Sequence, residues 1–309
     1  MDDAFHEHEF LKWIAQRNDG PSARLPVGPG DDAAIIVRGE GADLLLAMDV
    51  VCEGVHLEAG PDLPERLARK AVRSNLSDIA AMGGVAEAIV VGLELPVDAT
   101  DALARRVMEA VREETRRFGV ELAGGDSVMR PGGLSLGVAV TGRPHRDAVL
   151  RSGARPGDLV LVTGALGGSI LGRHHDFIPR LEEATALVDL GPPSAMTDIS
   201  DGFLRDLSNI LEASGVGAVV DAAAVPISDA AAHLAARTDM SPLEHALHDG
   251  EDFELLFTMD SETAGRVLKE WKLMTPLTVT GKVVERGLWL QTGDERKEVA
   301  PGGYEHGRP

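Results

Sequence analysis

Midway along this 309-residue chain, the stretch GRPHRDAVLRSGARPGD (Gly142–Asp158) breaks a series of short apolar runs with charge, proline and glycine. A segment so rich in turn formers cannot continue a core on either side, so it predicts a division into two units near Gly142–Gly157. The expected domains are 1–145 and 146–309, each within the roughly 100–200 residues that support an independent core. With 44% apolar and 26% charged residues, the composition is that of a globular chain rather than a disordered one.

The runs on each side suggest mixed helix and sheet. In the first half, Ala33–Val37, Leu44–Met48, Ala88–Leu95, Val120–Ala123 and Leu134–Thr141 read as strands. Pro64–Met82 has helical spacing, with Pro64 in its first turn and Gly83-Gly84 as a stop. Thr100 is a cap for a second helix running to about Phe118. The second half alternates again: Leu159–Thr163, Phe203–Ala213, Ala218–Asp221, Ile227–Ala236, Phe253–Thr258, Thr263–Leu273 and Leu277–Val283. The fold class is α+β or α/β, a sheet covered by helices in each domain.

Fifty acidic against 30 basic residues give a net charge of −20, which argues against nucleic acid or an anionic membrane as partner. It does not argue against a phosphorylated small molecule bridged by metal ions. The lone Cys52 excludes an intrachain disulfide framework and a Cys-rich zinc site. The opening MDDAFHEHEF lacks the basic-then-apolar order of a signal peptide, and no apolar run approaches the roughly 18 residues of a membrane span, so the expectation is a cytoplasmic protein.

Five short segments put carboxylates beside glycine or near element ends: Gly28-Pro29-Gly30-Asp31-Asp32, Asp49 after the Leu44–Met48 strand, Asn75-Leu76-Ser77-Asp78, Gly124-Gly125-Asp126-Ser127, and Asp198-Ile199-Ser200-Asp201-Gly202. Asp249-Gly250-Glu251-Asp252 adds another cluster. Each has a plain alternative: an exposed turn, a solvated helix face, or an N-cap at Ser200 or Asp201. Taken together they suggest one multi-metal phosphate site, with Mg²⁺ as the ion that prefers carboxylates, waters and substrate phosphates. No P-loop and no GxGxxG occurs, and His145-Arg146-Asp147 lacks the other protein-kinase signatures.

The ordered set GPGDDAA, MDVVCEGVH, NLSDIAAMGG, GGDSVMRPGG, LRSGARPGDLVLVTGALGGS, DISDG and DGEDFELLFT resembles the thiamine-monophosphate kinase family, from about Gly28 to Gly303–His306. That family shares a superfamily with aminoimidazole ribonucleotide synthetase, selenophosphate synthetase and a hydrogenase maturation protein. The resemblance implies a two-domain aminoimidazole ribonucleotide synthetase-like fold, whose N-terminal domain completes a β-barrel across a homodimer. It implies ATP as co-substrate, thiamine monophosphate as acceptor, and several Mg²⁺ ions in the cleft. By position, Asp32, Asp49, Asp78, Asp126, Asp198 and Asp201 would hold metal. Gly125, Asp126, Arg151 and Ser200 would meet the nucleotide, and His56, Glu251 and Tyr304 the thiamine phosphate. No side chain is required as nucleophile or base, and Asp126 and Arg151 would be the most critical.

Two departures from the family pattern stand out. Ala47-Met48 replaces the usual Ser-Thr before Asp49, and Gly172–Pro193 is short, with RHHDFIPR in place of an Arg/Pro-rich stretch. The alternatives are a synthetase-like ligase of the same superfamily and a non-catalytic thiamine-phosphate-binding paralogue. A selenophosphate synthetase is disfavoured by the absence of a reactive Cys in an N-terminal Gly-rich segment.

Overall fold

The computed structural model describes residue 13 and residues 22–28, 30–39 and 41–304. The acidic opening stretch, Pro29 and the end of the Gly303–His306 segment therefore lie outside the described residues. Two mixed sheets organise the rest. The first comprises β1 (Ala34–Ile36), β2 (Leu44–Cys52), β3 (Gly84–Pro96), β4 (Glu121–Arg130) and β5 (Ser135–Pro144), in the order β1-β2-β5-β3-β4. All pairs are antiparallel except β3 and β4. The second comprises β6 (Leu159–Thr163), β7 (Ala195–Asp198), β8 (Gly217–Asp221), β9 (Leu255–Met259), β10 (Leu277–Val284), β11 (Leu288–Thr292) and β12 (Glu295–Glu298). Its order is β12-β11-β8-β10-β6-β9-β7, with β8 and β11 the one parallel pair.

Helix α1 (Leu63–Ala81) and helix α2 (Asp101–Phe118) cover one face of the first sheet. α1 is buried on almost every side: Leu67, Val72, Leu76 and Ile79 enter the core, while Lys70, Arg73, Asn75 and Ser77 are equally sealed from water. Thr100 caps α2 through its hydroxyl and Gly119 ends it with a left-handed φ of 67°. The opposite sheet face is open. Leu46, Met48 and Val50 of β2 and Val90 of β3 are exposed there, while Gly137 of β5 lies buried beneath Met48 and Val50.

In the second half, α3 (Arg173–Asp176), α4 (Leu181–Leu190), α5 (Phe203–Ser214), α6 (Asp229–Ala235), α7 (Pro242–His248) and α8 (Ser261–Glu270) surround the larger sheet. Their apolar faces form two clusters, one on α5 and α7, the other on α4 and α8. Among the described residues no helix is long and apolar enough to cross a membrane.

Arg73 ties the two halves together. Its fully buried guanidinium donates to both Glu114 carboxylate oxygens at 2.7 and 3.1 Å and to the Phe177 carbonyl at 2.5 Å. Removing one partner of a buried pair leaves the other uncompensated, so Arg73→Leu is expected to cost about 3 kcal/mol of stability. A urea melt showing less than about 1 kcal/mol would refute that role.

Candidate active site

The site is built from one stripe of α1. Lys70, Ser74, Ser77 and Asp78 stand at i, i+4, i+7 and i+8, spacings that align on one helical face. The Ser74 side chain favours the charged form of the Asp49 carboxylate, and the Ser77 hydroxyl donates to Asp198. The α1 stripe thus meets β2 of the first sheet and β7 of the second.

Asp32, Asp78 and Asp198 converge there, one carboxylate oxygen of each lying within 4.8 Å of the others. Asp32 arrives on the turn before β1 and is held by Arg151, whose Nη2 and Nε donate at 2.6 and 3.2 Å, and by the Thr197 hydroxyl at 2.9 Å. The Arg151 backbone N–H donates to Asp31. Two acids of this group, Asp78 and Asp198, resist ionisation. Burial first, then the Asp32 charge, pushes Asp198 up to about 7. Burial and then the charges of Asp49, Asp198 and Asp32 hold Asp78 well above the usual carboxylate range. Burial raises Asp49 too, against Ser74 and Lys70.

Beside this group, two loops interlock. The Glu251 N–H donates to the Ser200 carbonyl at 2.7 Å, and the Phe253 N–H to the Ile199 carbonyl at 2.8 Å. Gly250, at φ 74°, lies so close that an added Cβ would meet the Ser200 carbonyl oxygen at 2.7 Å. Glu251 and Phe253 are themselves left-handed, at φ 53° and 50°. Such backbones cost of order 1–3 kcal/mol each and persist where surrounding contacts impose them. Phe253 stacks on Phe177 with ring centres 3.9 Å apart, and Lys70 makes an ion pair with Glu251.

The residues singled out from sequence fall into separate places. Asp32, Asp78 and Asp198 are together, with Asp49 and Arg151 electrostatically coupled to them. Ser200, Asp201 and Glu251 share the interlocked loops, and the Tyr304 N–H reaches the Asp201 carbonyl at 2.9 Å. His56 lies in the turn after β2, its Nδ1 accepting from the Cys52 N–H at 3.0 Å. Asp126 and Gly125 are exposed on the edge strand β4 and do not join the carboxylate group. Gly125 presses against β3, where a Cβ would meet the Val91 carbonyl oxygen at 2.2 Å. The capping alternative at Ser200 or Asp201 does not hold: α5 has no side-chain cap, and buried Asp206 instead accepts from the Asp201 and Gly202 N–H groups.

Sequence reasoning missed Lys70, Ser74 and a role for Ser77, along with Thr197 and Asp206. The first three carried a signal, polar residues at helical spacing from Asp78; Thr197 and Asp206 had none beyond adjacency to Asp198 and the DISDG segment. The donor set is all hard oxygen, and its mutual repulsion calls for a cation. It therefore fits Mg²⁺ better than a metal preferring nitrogen or sulfur. The side-chain oxygen of Asn75, buried one turn before Asp78, has no hydrogen-bond partner among the described residues.

Comparison with known proteins identifies the family of the chain. Residues 30–143 match the AIR synthase related protein N-terminal domain and residues 155–288 the corresponding C-terminal domain. The thiamine-monophosphate kinase of Rhodopirellula baltica is 38% identical over 97% of both chains, and that of Bacillus subtilis 32% identical over 97% of this chain and 99% of its own. A solved structure, AaThiL complexed with AMPPCP and TMP, superposes with a TM-score of 0.83 at 28% identity, covering 97% of each chain. With both domains matched in order and relatives aligned end to end, the chain belongs to the thiamine-monophosphate kinase family of AIR synthase related proteins.

Proposed function

We propose that this protein transfers the γ-phosphoryl group of ATP to thiamine monophosphate, giving thiamine diphosphate and ADP. The observation that carries the reading is the convergence of Asp32, Asp78 and Asp198 on one point, with Arg151 clamped beside them. An acceptor phosphate oxygen attacks the γ-phosphorus while the bond to the β-bridging oxygen breaks and its electron pair leaves with ADP. The acceptor is already ionised near neutral pH, so no protein base is needed. What the protein must provide is alignment and relief of repulsion among anionic groups.

Several Mg²⁺ ions, held by Asp32, Asp78 and Asp198 with Asp49 and Asp201 near them, would neutralise phosphate charge. Arg151 is the candidate donor to ATP phosphates, with Ser200 beside it, and Gly125 and Asp126 complete the nucleotide set in this proposal. His56, Glu251 and Tyr304 are the proposed thiamine-phosphate residues. The division of labour is between residues 1–145, as the ATP, metal and dimer domain, and 146–309. The expected setting is the cytoplasm, where ATP is available.

The test is direct: purified protein with ATP, Mg²⁺ and thiamine monophosphate should form thiamine diphosphate. ATP consumed only with an amidine ribonucleotide would favour a ligase, and tight binding of both ligands without product a binding protein.

A homodimer belongs to the same proposal, its support being the uncovered apolar sheet face of Leu46, Met48, Val50 and Val90. Val50→Glu would set a charge on that face, so sedimentation should report a dimer for the parent and a monomer for the variant. A dimer in both would place the interface elsewhere.

A further inference from the structure

Lys70 is the buried cation that the proposed chemistry leaves without a task. Its side chain is 2% exposed and ends in an ion pair with Glu251, beneath the Phe253 ring at 6.0 Å from its centre. Asp49 is its second electrostatic partner. Burying an ammonium is costly unless a carboxylate compensates it, so such a lysine persists where it holds something in place. Glu251 is held from two sides: the Ser200 carbonyl fixes its left-handed backbone and Lys70 fixes its carboxylate. The same α1 stripe, one turn on, acts on Asp49 through Ser74, which favours its charged form.

We propose that Lys70 is the positioning residue of the acceptor half of the site, aiming the Glu251 carboxylate and offsetting the charge shared by Glu251 and Asp49 as an anionic phosphomonoester approaches. The ligand class that fits is a cationic heteroaromatic carrying a phosphate. Glu251 answers the cation, and Lys70 prevents the two carboxylates from repelling the phosphate. This inference rests on the phosphotransfer reading for its substrate, but not for the Lys70–Glu251 geometry.

The experiment compares Lys70→Met, Lys70→Arg, Glu251→Gln and the double variant Lys70→Met/Glu251→Gln. Lys70→Met should raise the KM for thiamine monophosphate about tenfold or more and leave the KM for ATP within about twofold. Lys70→Arg should recover part of the loss. The double variant, which removes both charges of the Lys70–Glu251 pair, should bind thiamine monophosphate no worse than Glu251→Gln alone. If Lys70→Met fails to fold, the comparison of the double variant with Glu251→Gln still decides.

Equal losses for ATP and thiamine monophosphate, or additive losses in the double variant, would overturn the proposal. A parent protein that binds thiamine monophosphate without phosphorylating it would sink the kinase reading alone, since calorimetric binding still ranks the variants. Should the parent not bind it, a ligand-free crystal structure of Lys70→Met decides: a displaced Glu251 carboxylate supports the positioning role, and an unmoved one overturns it.

Discussion

Asp198→Asn should lower turnover about a thousandfold and, in metal-free protein at pH 8, raise the melting temperature. The first effect follows from removing one of three carboxylates converging on the proposed cation site. The second follows from the burial of Asp198, and then from the Asp32 charge beside it. Asp198 titrates near 7 in the fold against 3.8 in the unfolded chain, burial being the main cause and Asp32 the next. As pH rises, the unfolded chain releases this proton first. The folded state therefore loses stability from about pH 4 to about pH 7, and the loss is complete above that window. Asparagine has no such proton, so its advantage should be small at pH 4 and full at pH 8. For a chain of this size, each kcal/mol moves the midpoint by roughly 2–4 °C. Thermal melts with chelator from pH 4 to 8, repeated with Mg²⁺, supply the readout. Mg²⁺ should stabilise the parent more than the variant. Turnover within tenfold of the parent, or a gain independent of pH, would count against the cluster as the metal site.

Arg151→Met should act in two opposite directions. Its guanidinium grips both oxygens of Asp32, a carboxylate whose side chain is 1% exposed. Without it, kcat/KM for ATP should fall about a hundredfold, the scale expected when a charge-assisted donor to phosphate is lost. Metal-free protein should also lose about 3–5 kcal/mol, because Asp32 is left buried without its counter-ion. Yet Mg²⁺ should bind the nucleotide-free variant more tightly, since the cation that competes for Asp32 is gone. Calorimetric titration checks the sign. Weaker Mg²⁺ binding would mean that Arg151 supports the metal geometry rather than competing with it.

Much of the first domain was legible because its helices obey local rules. Pro64, Gly83 and Thr100 bracket α1 and α2 to within about a residue, since caps and stops act over one turn. Strand ends were less so. Asp49 does not follow β2 but lies inside it, because pairing with β5 continues to Cys52 opposite Ser135. Strand alternation then turns Asp49 toward α1 and leaves Met48 on the open face, 64% exposed. A hydroxyl at position 48 in this fold would face away from the α1 side that holds Asp49. GGDS likewise lies within β4 rather than beyond it; an edge strand exposed along most of its length has no apolar alternation to mark it. The Phe253–Thr258 run starts late, at Leu255, because Glu251 and Phe253 take left-handed backbones.

The second domain hid more. Helix α4 and strand β7 were not anticipated, nor was the β11–β12 hairpin, a short edge pair with β12 wholly exposed. The carboxylate site was legible as a set of acidic segments, and the family resemblance supplied the individual residues. Asp32, Asp78 and Asp198 are brought together by tertiary packing, and no local spacing encodes that meeting. Lys70 and its turn-spaced hydroxyls were visible in the helical period, but a polar stripe on a helix ordinarily reads as a solvated face.

The α1 stripe has a mechanical consequence. Lys70, Ser74, Ser77 and Asp78 are mounted on a single rod whose far side, at Val72, Leu76 and Ile79, is the centre of the first core. Inserting or deleting one residue upstream within that rod would rotate the whole set by about 100° relative to the core side chains beyond it. The site therefore has the stiffness of the core and no softer hinge of its own along this wall. Heating should consequently abolish ligand binding and melt the first domain in one transition, with no temperature range in which an intact core carries a disordered site.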